Sequence, residues 1–182
     1  RLLDNSTINK IAAGEVVERP SSVVKELMEN SIDAGATSIT VEIRDGGTSF
    51  IRITDNGSGI NEEDIETAFI RHATSKIEKI EDLDSIISLG FRGEALASIA
   101  SVSQVEMITK TADSLSGIKL VVDGGAVTEK TNAAANTGTS ITVKNIFYNV
   151  PARRKFLKKP SVESGYISDI VNKMALGHPE IS

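Results

Sequence analysis

Ile39-Thr-Val-Glu-Ile-Arg-Asp-Gly-Gly-Thr-Ser-Phe-Ile-Arg-Ile-Thr-Asp-Asn-Gly-Ser-Gly59 is the stretch that decides the fold. Ile39, Val41 and Ile43 alternate with polar residues, and so do Ile51 and Ile53, which is the period of a strand with one buried face. Gly46-Gly47 separates the two runs as a hairpin turn. Asp55-Asn56-Gly57-Ser58-Gly59 is too rich in glycine to continue the second strand.

Working outward, Asp4 or Asn5 can cap a short helix over residues 6–13, with Gly14 as its stop. Pro20 and Ser21 open a stronger helix over residues 22–31, whose apolar positions Val23, Val24, Leu27, Met28 and Ile32 form a broad stripe. Asn61 can cap a further helix, with Ile60 and Ile65 as a hydrophobic staple. Residues 71–92 lack a clear period, the mark of a lid or binding loop. Residues 94–101 read as a helix and 105–109, 118–122, 127–129 and 140–143 as strands. Asp123-Gly124-Gly125 is a second hairpin turn, and residues 162–176 are the last helix. Helices and strands alternate, yet hairpins join several strands. The expected class is therefore α+β: a two-layer α/β sandwich whose mixed, mostly antiparallel sheet carries helices on one face.

The chain has 182 residues, enough for one domain spanning residues 1–182 with a sizeable core. Lys plus Arg is 20 and Asp plus Glu 25, a net charge of −5, which excludes a uniformly basic coat for DNA but leaves room for a local basic patch. The absence of cysteine excludes a disulfide scaffold, a Cys-ligated zinc site and thiol catalysis. His72 and His178 are the only histidines and have no cysteine partners, so neither suggests a metal centre. Aromatics are 4% and Trp is absent, leaving little material for base stacking. With no apolar run of about 18 residues and no leader, the expected setting is intracellular and cytoplasmic. Ser182 follows closely on a helix, which points to an N-terminal fragment of something longer.

Four groups of residues carry possible chemistry. Glu26, Asn30 and Asp33 fall at i, i+4 and i+7 and share one helix face. That face is either solvated or the wall of a nucleotide cleft, with a carboxylate that orients water and an amide oxygen that ligates Mg2+ alongside phosphates. Asp55 to Gly59 is either a turn or a loop that admits a flat ligand while Asp55 accepts from an exocyclic amine. Gly90-Phe91-Arg92-Gly93-Glu94-Ala95-Leu96 runs into a helix start, a natural place for an anion, and Thr74-Ser75-Lys76 lies upstream of it. Gly138-Thr139 opens a strand and by itself means nothing. Neither a P-loop nor a Gly-x-Gly-x2-Gly fingerprint is present.

The order and spacing of these groups resemble the GHKL ATPase superfamily and its Bergerat ATP-binding fold. Ile11-Ala12-Ala13-Gly14-Glu15-Val16-Val17-Glu18-Arg19-Pro20, Gly90 to Leu96, and Phe147-Tyr148-Asn149-Val150-Pro151-Ala152-Arg153-Arg154-Lys155-Phe156 look like MutL-family stretches, closest to the bacterial type. The resemblance covers essentially the whole chain. It implies ATP and Mg2+ as ligands, Glu26 as the base that activates water, and Asn30 as the Mg2+ ligand. It places Asp55 on the adenine amino group, with Gly57 and Gly59 admitting the base and Thr139 assisting. Thr74, Ser75 and Lys76 would belong to an ATP lid, and Arg92, Gly93, Glu94, Ala95 and Leu96 would wrap the phosphates through backbone amides.

The resemblance further implies a homodimeric clamp on DNA, closed by ATP and partnered by a MutS-type mismatch recognition protein. The segment from Ile11 to Pro20 is either part of the dimerisation machinery or ordinary core helix and connector. A second ATPase subdomain with a γ-phosphate lysine and a C-terminal dimerisation region are expected beyond this chain. Arg153, Arg154, Lys155, Lys158 and Lys159 form a basic run that is a solvated segment, a sequence-independent contact for DNA phosphate, or, at the two arginines, structural hydrogen bonding. Other readings are a topoisomerase-type ATPase, a GHKL kinase, for which no phosphoacceptor helix is visible, and a binding module switched by ATP without hydrolysis.

Overall fold

The computed structural model describes residues 3–70 and 94–182. Among the described residues six strands form one sheet: β1 (Ile39–Arg44), β2 (Phe50–Asp55), β3 (Gln104–Lys110), β4 (Gly117–Asp123), β5 (Ala126–Ala133) and β6 (Gly138–Lys144). Their order is β1-β2-β6-β3-β4-β5. Among the described residues every pairing is antiparallel, so the expected mixed, mostly antiparallel sheet is here antiparallel. Hairpins join β1 to β2, β3 to β4 and β4 to β5, while β6 lies between β2 and β3, neither of them its neighbour along the chain. The hairpin at Gly46-Gly47 sets Ile43 opposite Ile51 and Val41 opposite Ile53.

The period-2 pattern sorts the sheet into two faces. Ile51, Ile53, Val105, Met107, Leu120, Val122, Ile141 and Val143 are buried in the core. Each such side chain contributes about 1.5–3 kcal/mol by leaving water. The opposite face is polar, with Lys119 paired to Glu129 at 3.2 Å and the Arg52 guanidinium donating to the buried Thr142 hydroxyl at 3.0 Å. The α-helices among the described residues are α1 (Asn5–Val16), α2 (Pro20–Asp33), α3 (Ala95–Ser101), α4 (Pro151–Arg154) and α5 (Pro160–Gly177). α2 packs on β2 and α5, and α3 packs on α1, β3 and β4, which gives the expected second layer.

Two helical expectations are corrected. Gly14 does not stop α1, which continues to Val16 and ends with the Val17 amide on the Ala13 carbonyl. The segment after Asn61 is a run of turns closing in a 3-10 turn at Thr67–Phe69, not an α-helix. Ile65 alone in that segment is fully buried, while Ile60 and Phe69 pack only partly against the core, which leaves a thin apolar face for a regular helix.

Gly14 has another use. A Cβ there would lie 1.8 Å from an Arg153 guanidinium nitrogen. Arg153 donates to the Val17 carbonyl at 2.9 Å and its guanidinium stands 5.6 Å from the centre of the Phe147 ring. Of the readings open for Arg153, structural hydrogen bonding is the one observed: it ties α4 to the end of α1. Removing a charged donor from a part-buried carbonyl costs about 1.5–3 kcal/mol. Arg153→Ala should therefore lower the melting temperature by about 3–12 °C, whereas exposed Arg154→Ala should change it by under about 2 °C. Equal shifts in thermal unfolding would remove this distinction between the two arginines.

Candidate functional site

Asp55 is the last residue of β2, directly opposite Thr139 on β6, which in turn lies opposite Thr109 on β3. The three side chains form a row across three strands on the core-facing side. Three donors from three elements hold the Asp55 carboxylate. The Ser31 hydroxyl of α2 donates to Oδ2 at 2.7 Å, the Gly57 amide to Oδ1 at 2.9 Å and the Thr139 amide to Oδ1 at 3.3 Å. An ionised carboxylate has about four acceptor positions, so these contacts fix its orientation and leave capacity for one further donor.

The loop after Asp55 is built by close approach. A Cβ on Gly57 would sit 2.8 Å from the Ala34 carbonyl oxygen, and one on Gly59 only 2.1 Å from the Lys110 carbonyl oxygen. Gly59 also has φ 72°, a left-handed conformation that favours glycine. At both positions the structure turns the bare Cα toward protein backbone. Asn56 locks the same loop to the α2–β1 connection, its Oδ1 accepting from the amides of Thr37 and Ser38 at 2.9 and 3.0 Å.

Glu26 and Asn30 are half-buried on α2. Asn30 precedes Ser31 and so stands beside the Asp55 contact, while Glu26 is one turn toward the helix start, about 6 Å along the axis. Glu26 also borders a surface groove with Glu15, Ser22, Lys25 and Ile170. Glu94 precedes α3 without a side-chain capping bond; Ala95 is buried and half-buried Leu96 packs against the core, so what these last two residues can offer a ligand is backbone. Thr74, Ser75, Lys76, Arg92, Gly93 and His72 lie outside the described residues. Among the described residues no group of three or more His, Asp or Glu could hold a metal ion by itself.

Ser31 and Thr109, 3% and 1% exposed, were not singled out by motif. Both carry the same signal in hindsight: a hydroxyl at a position where the periodicity wants an apolar side chain. Ser31 continues the Val24–Leu27 stripe of α2, and Thr109 follows Val105 and Met107 along β3. The Thr109 hydroxyl accepts from the Ile60 amide at 2.9 Å and lies 2.9 Å from the Thr139 hydroxyl and 3.1 Å from the Gly138 carbonyl.

Residues 18–149 match the family described as histidine kinase-, DNA gyrase B-, and HSP90-like ATPase, and the matched span contains every residue of this site. The chain belongs to that ATPase family. Within that family, the relatives it is similar to are MutL proteins. The DNA mismatch repair protein MutL of Agathobacter rectalis is 60% identical over 181 residues, 100% of this chain and 28% of that protein. The MutL of Thermoanaerobacter pseudethanolicus is 61% identical over 100% of this chain and 30% of its own length. The chain thus spans under a third of the curated relatives it matches. Among solved structures, the Aquifex aeolicus MutL ATPase domain complexed with ADP is 34% identical with TM-score 0.72, covering 91% of this chain and 58% of that one. The N-terminal domain of a DNA repair protein is 32% identical with TM-score 0.80, covering 96% of this chain and 50% of that one. The two-layer GHKL architecture expected from the sequence is the one observed.

Arg154, Lys155, Lys158 and Lys159 are exposed. The Lys158 amide donates to the buried Glu163 carboxylate at 3.0 Å, which fixes the course of the basic segment. No helix among the described residues is long and apolar enough to cross a membrane.

Proposed function

We propose that this chain is the nucleotide-binding part of a MutL-type mismatch repair ATPase, with the adenine amino group of ATP donating to Asp55. The observation that carries this reading is the Asp55 carboxylate, held by Ser31, Gly57 and Thr139 with one acceptor position to spare. The ADP-bound MutL relative supports a nucleotide as the ligand. From Asp55 the phosphates would extend along α2, past Asn30 and toward Glu26. Glu26 would accept a proton from the attacking water. The Asn30 amide oxygen would hold Mg2+, which neutralises phosphate charge when bound; one protein oxygen suffices where phosphates and water supply the rest.

Following the family resemblance, ATP binding would order the lid containing Thr74, Ser75 and Lys76 and bring two copies together as a clamp on DNA, in concert with a MutS-type protein. Arg154, Lys155, Lys158 and Lys159 would contact DNA phosphate, without sequence preference and with strong salt dependence. Arg153 already spends one guanidinium nitrogen on the Val17 carbonyl, so it would contribute less to that set than its exposed neighbours.

Titration with a non-hydrolysable ATP analogue, with and without Mg2+, tests the cleft, and sedimentation of the same samples tests dimer formation. Binding that strengthens with Mg2+ is expected. Absence of binding at millimolar analogue rejects the assignment. The 182-residue chain by itself should hydrolyse ATP slowly or not measurably, because the family resemblance implies a γ-phosphate lysine supplied by a second subdomain, and this chain spans under a third of the MutL relatives it matches. Robust phosphate release from the purified chain would contradict this.

A further inference from the structure

We propose that Thr109 is a specificity-determining positioning residue, whose hydroxyl sets the Thr139 hydroxyl as a hydrogen-bond donor toward the nucleobase. The proposal rests on the nucleotide reading above. A threonine hydroxyl has one proton and two acceptor positions. One acceptor position of Thr109 is taken by the Ile60 amide at 2.9 Å. Its proton has two destinations, the Thr139 oxygen at 2.9 Å or the Gly138 carbonyl at 3.1 Å.

The two choices present different sites. If Thr109 donates to Gly138, Thr139 must donate back to Thr109 and faces outward as an acceptor, beside the acceptor-only Asp55. That pairing suits a ligand with two adjacent donors. If Thr109 donates to Thr139 over the shorter contact, the Thr139 proton is released outward, and a donor stands beside the Asp55 acceptor. Adenine presents the complement, an amino donor next to the N1 acceptor, met directly or through one water. A guanine in the same pose would set its O6 acceptor against the Asp55 carboxylate. Burial of Thr109 at 1% exposure removes water as an alternative partner, which leaves the Thr139 oxygen and the Gly138 carbonyl as the two destinations, and the proposal assigns the proton to the shorter contact, Thr139.

The test compares the whole 182-residue chain with Thr109→Val and Thr109→Ser in competition titrations with ATP, 1-deaza-ATP and purine riboside triphosphate. The first analogue lacks N1 and the second lacks the 6-amino group. Wild type should prefer ATP over 1-deaza-ATP by about tenfold, the worth of one hydrogen bond. Thr109→Val should reduce that ratio to about one to two while keeping the preference for ATP over purine riboside triphosphate, and Thr109→Ser should restore it. If Thr109→Val weakens all three ligands equally, or Thr109→Ser fails to restore the ratio, the relay is wrong. Should Thr109→Val not fold, Thr109→Cys, a poorer donor, is expected to lower the ratio, and an unchanged ratio overturns the proposal. Wild type that ignores the 6-amino group overturns the Asp55 reading and the relay with it.

Discussion

In a complete ATPase region carrying this chain, Glu26→Ala is expected to lower the turnover of ATP by about 10²–10⁴-fold, the usual contribution of a positioned general base. Binding of Mg-ATP should change by less than about threefold, because a group used only in the transition state adds little to ground-state affinity. Asn30→Ala should show the opposite split. An amide that holds Mg2+ contributes to the bound state itself, so its loss should weaken Mg-ATP binding and leave Mg-free binding nearly unchanged. Steady-state phosphate release and equilibrium titration on the same preparations separate the two. An undiminished rate with Glu26→Ala would remove Glu26 from the chemistry, whatever its place on α2. The contrast is informative because the two residues are four apart on one helix face, so a general distortion of α2 would affect both measurements alike.

Much of this arrangement was legible in the sequence because it rests on local periodicity. The i, i+4 spacing of Glu26 and Asn30, the alternation through Ile39–Arg44 and the glycine turn after it each follow from a few adjacent residues. What escaped were contacts between distant segments. Ser31 meets Asp55 across 24 residues and Arg153 meets Val17 across 136, and no periodicity encodes such pairings. Gly14 was misread for the same reason. As local grammar it is a helix stop, but its bare Cα makes room for an arginine that arrives from the far end of the chain. The segment after Asn61 failed differently. Its cap and staple signals were local, yet the segment buries only Ile65 fully, with Ile60 and Phe69 packed partly against the core, and it closes in a 3-10 turn rather than an α-helix.

Gly138→Ala is expected to be the most damaging single methyl in the site. Gly138 has φ 128°, a conformation L side chains rarely adopt, and the added Cβ would lie 2.1 Å from the Asp55 carbonyl oxygen and 2.9 Å from the Asn56 Cα. Neither obstacle is the end of a flexible side chain, so relief requires β2 and β6 to separate where Asp55 meets Thr139. Backbone strain of about 1–3 kcal/mol and overpacking of about 1–3 kcal/mol together predict a loss of about 3 kcal/mol or more. For a domain of this size that is a fall in melting temperature of about 6–12 °C or more. Nucleotide binding should fall with it, since the Thr139 amide that holds Asp55 is the next group along the chain. Gly165→Ala supplies the opposite sign: within α5 nothing lies within 4 Å of the added methyl, and alanine in a helix interior is favoured by about 0.5–1 kcal/mol. Thermal unfolding of the two variants beside wild type checks both signs at once. A Gly138→Ala protein as stable as wild type would mean that β6 does not press on Asp55 as described, and the carboxylate would lose one of the three constraints that define the site.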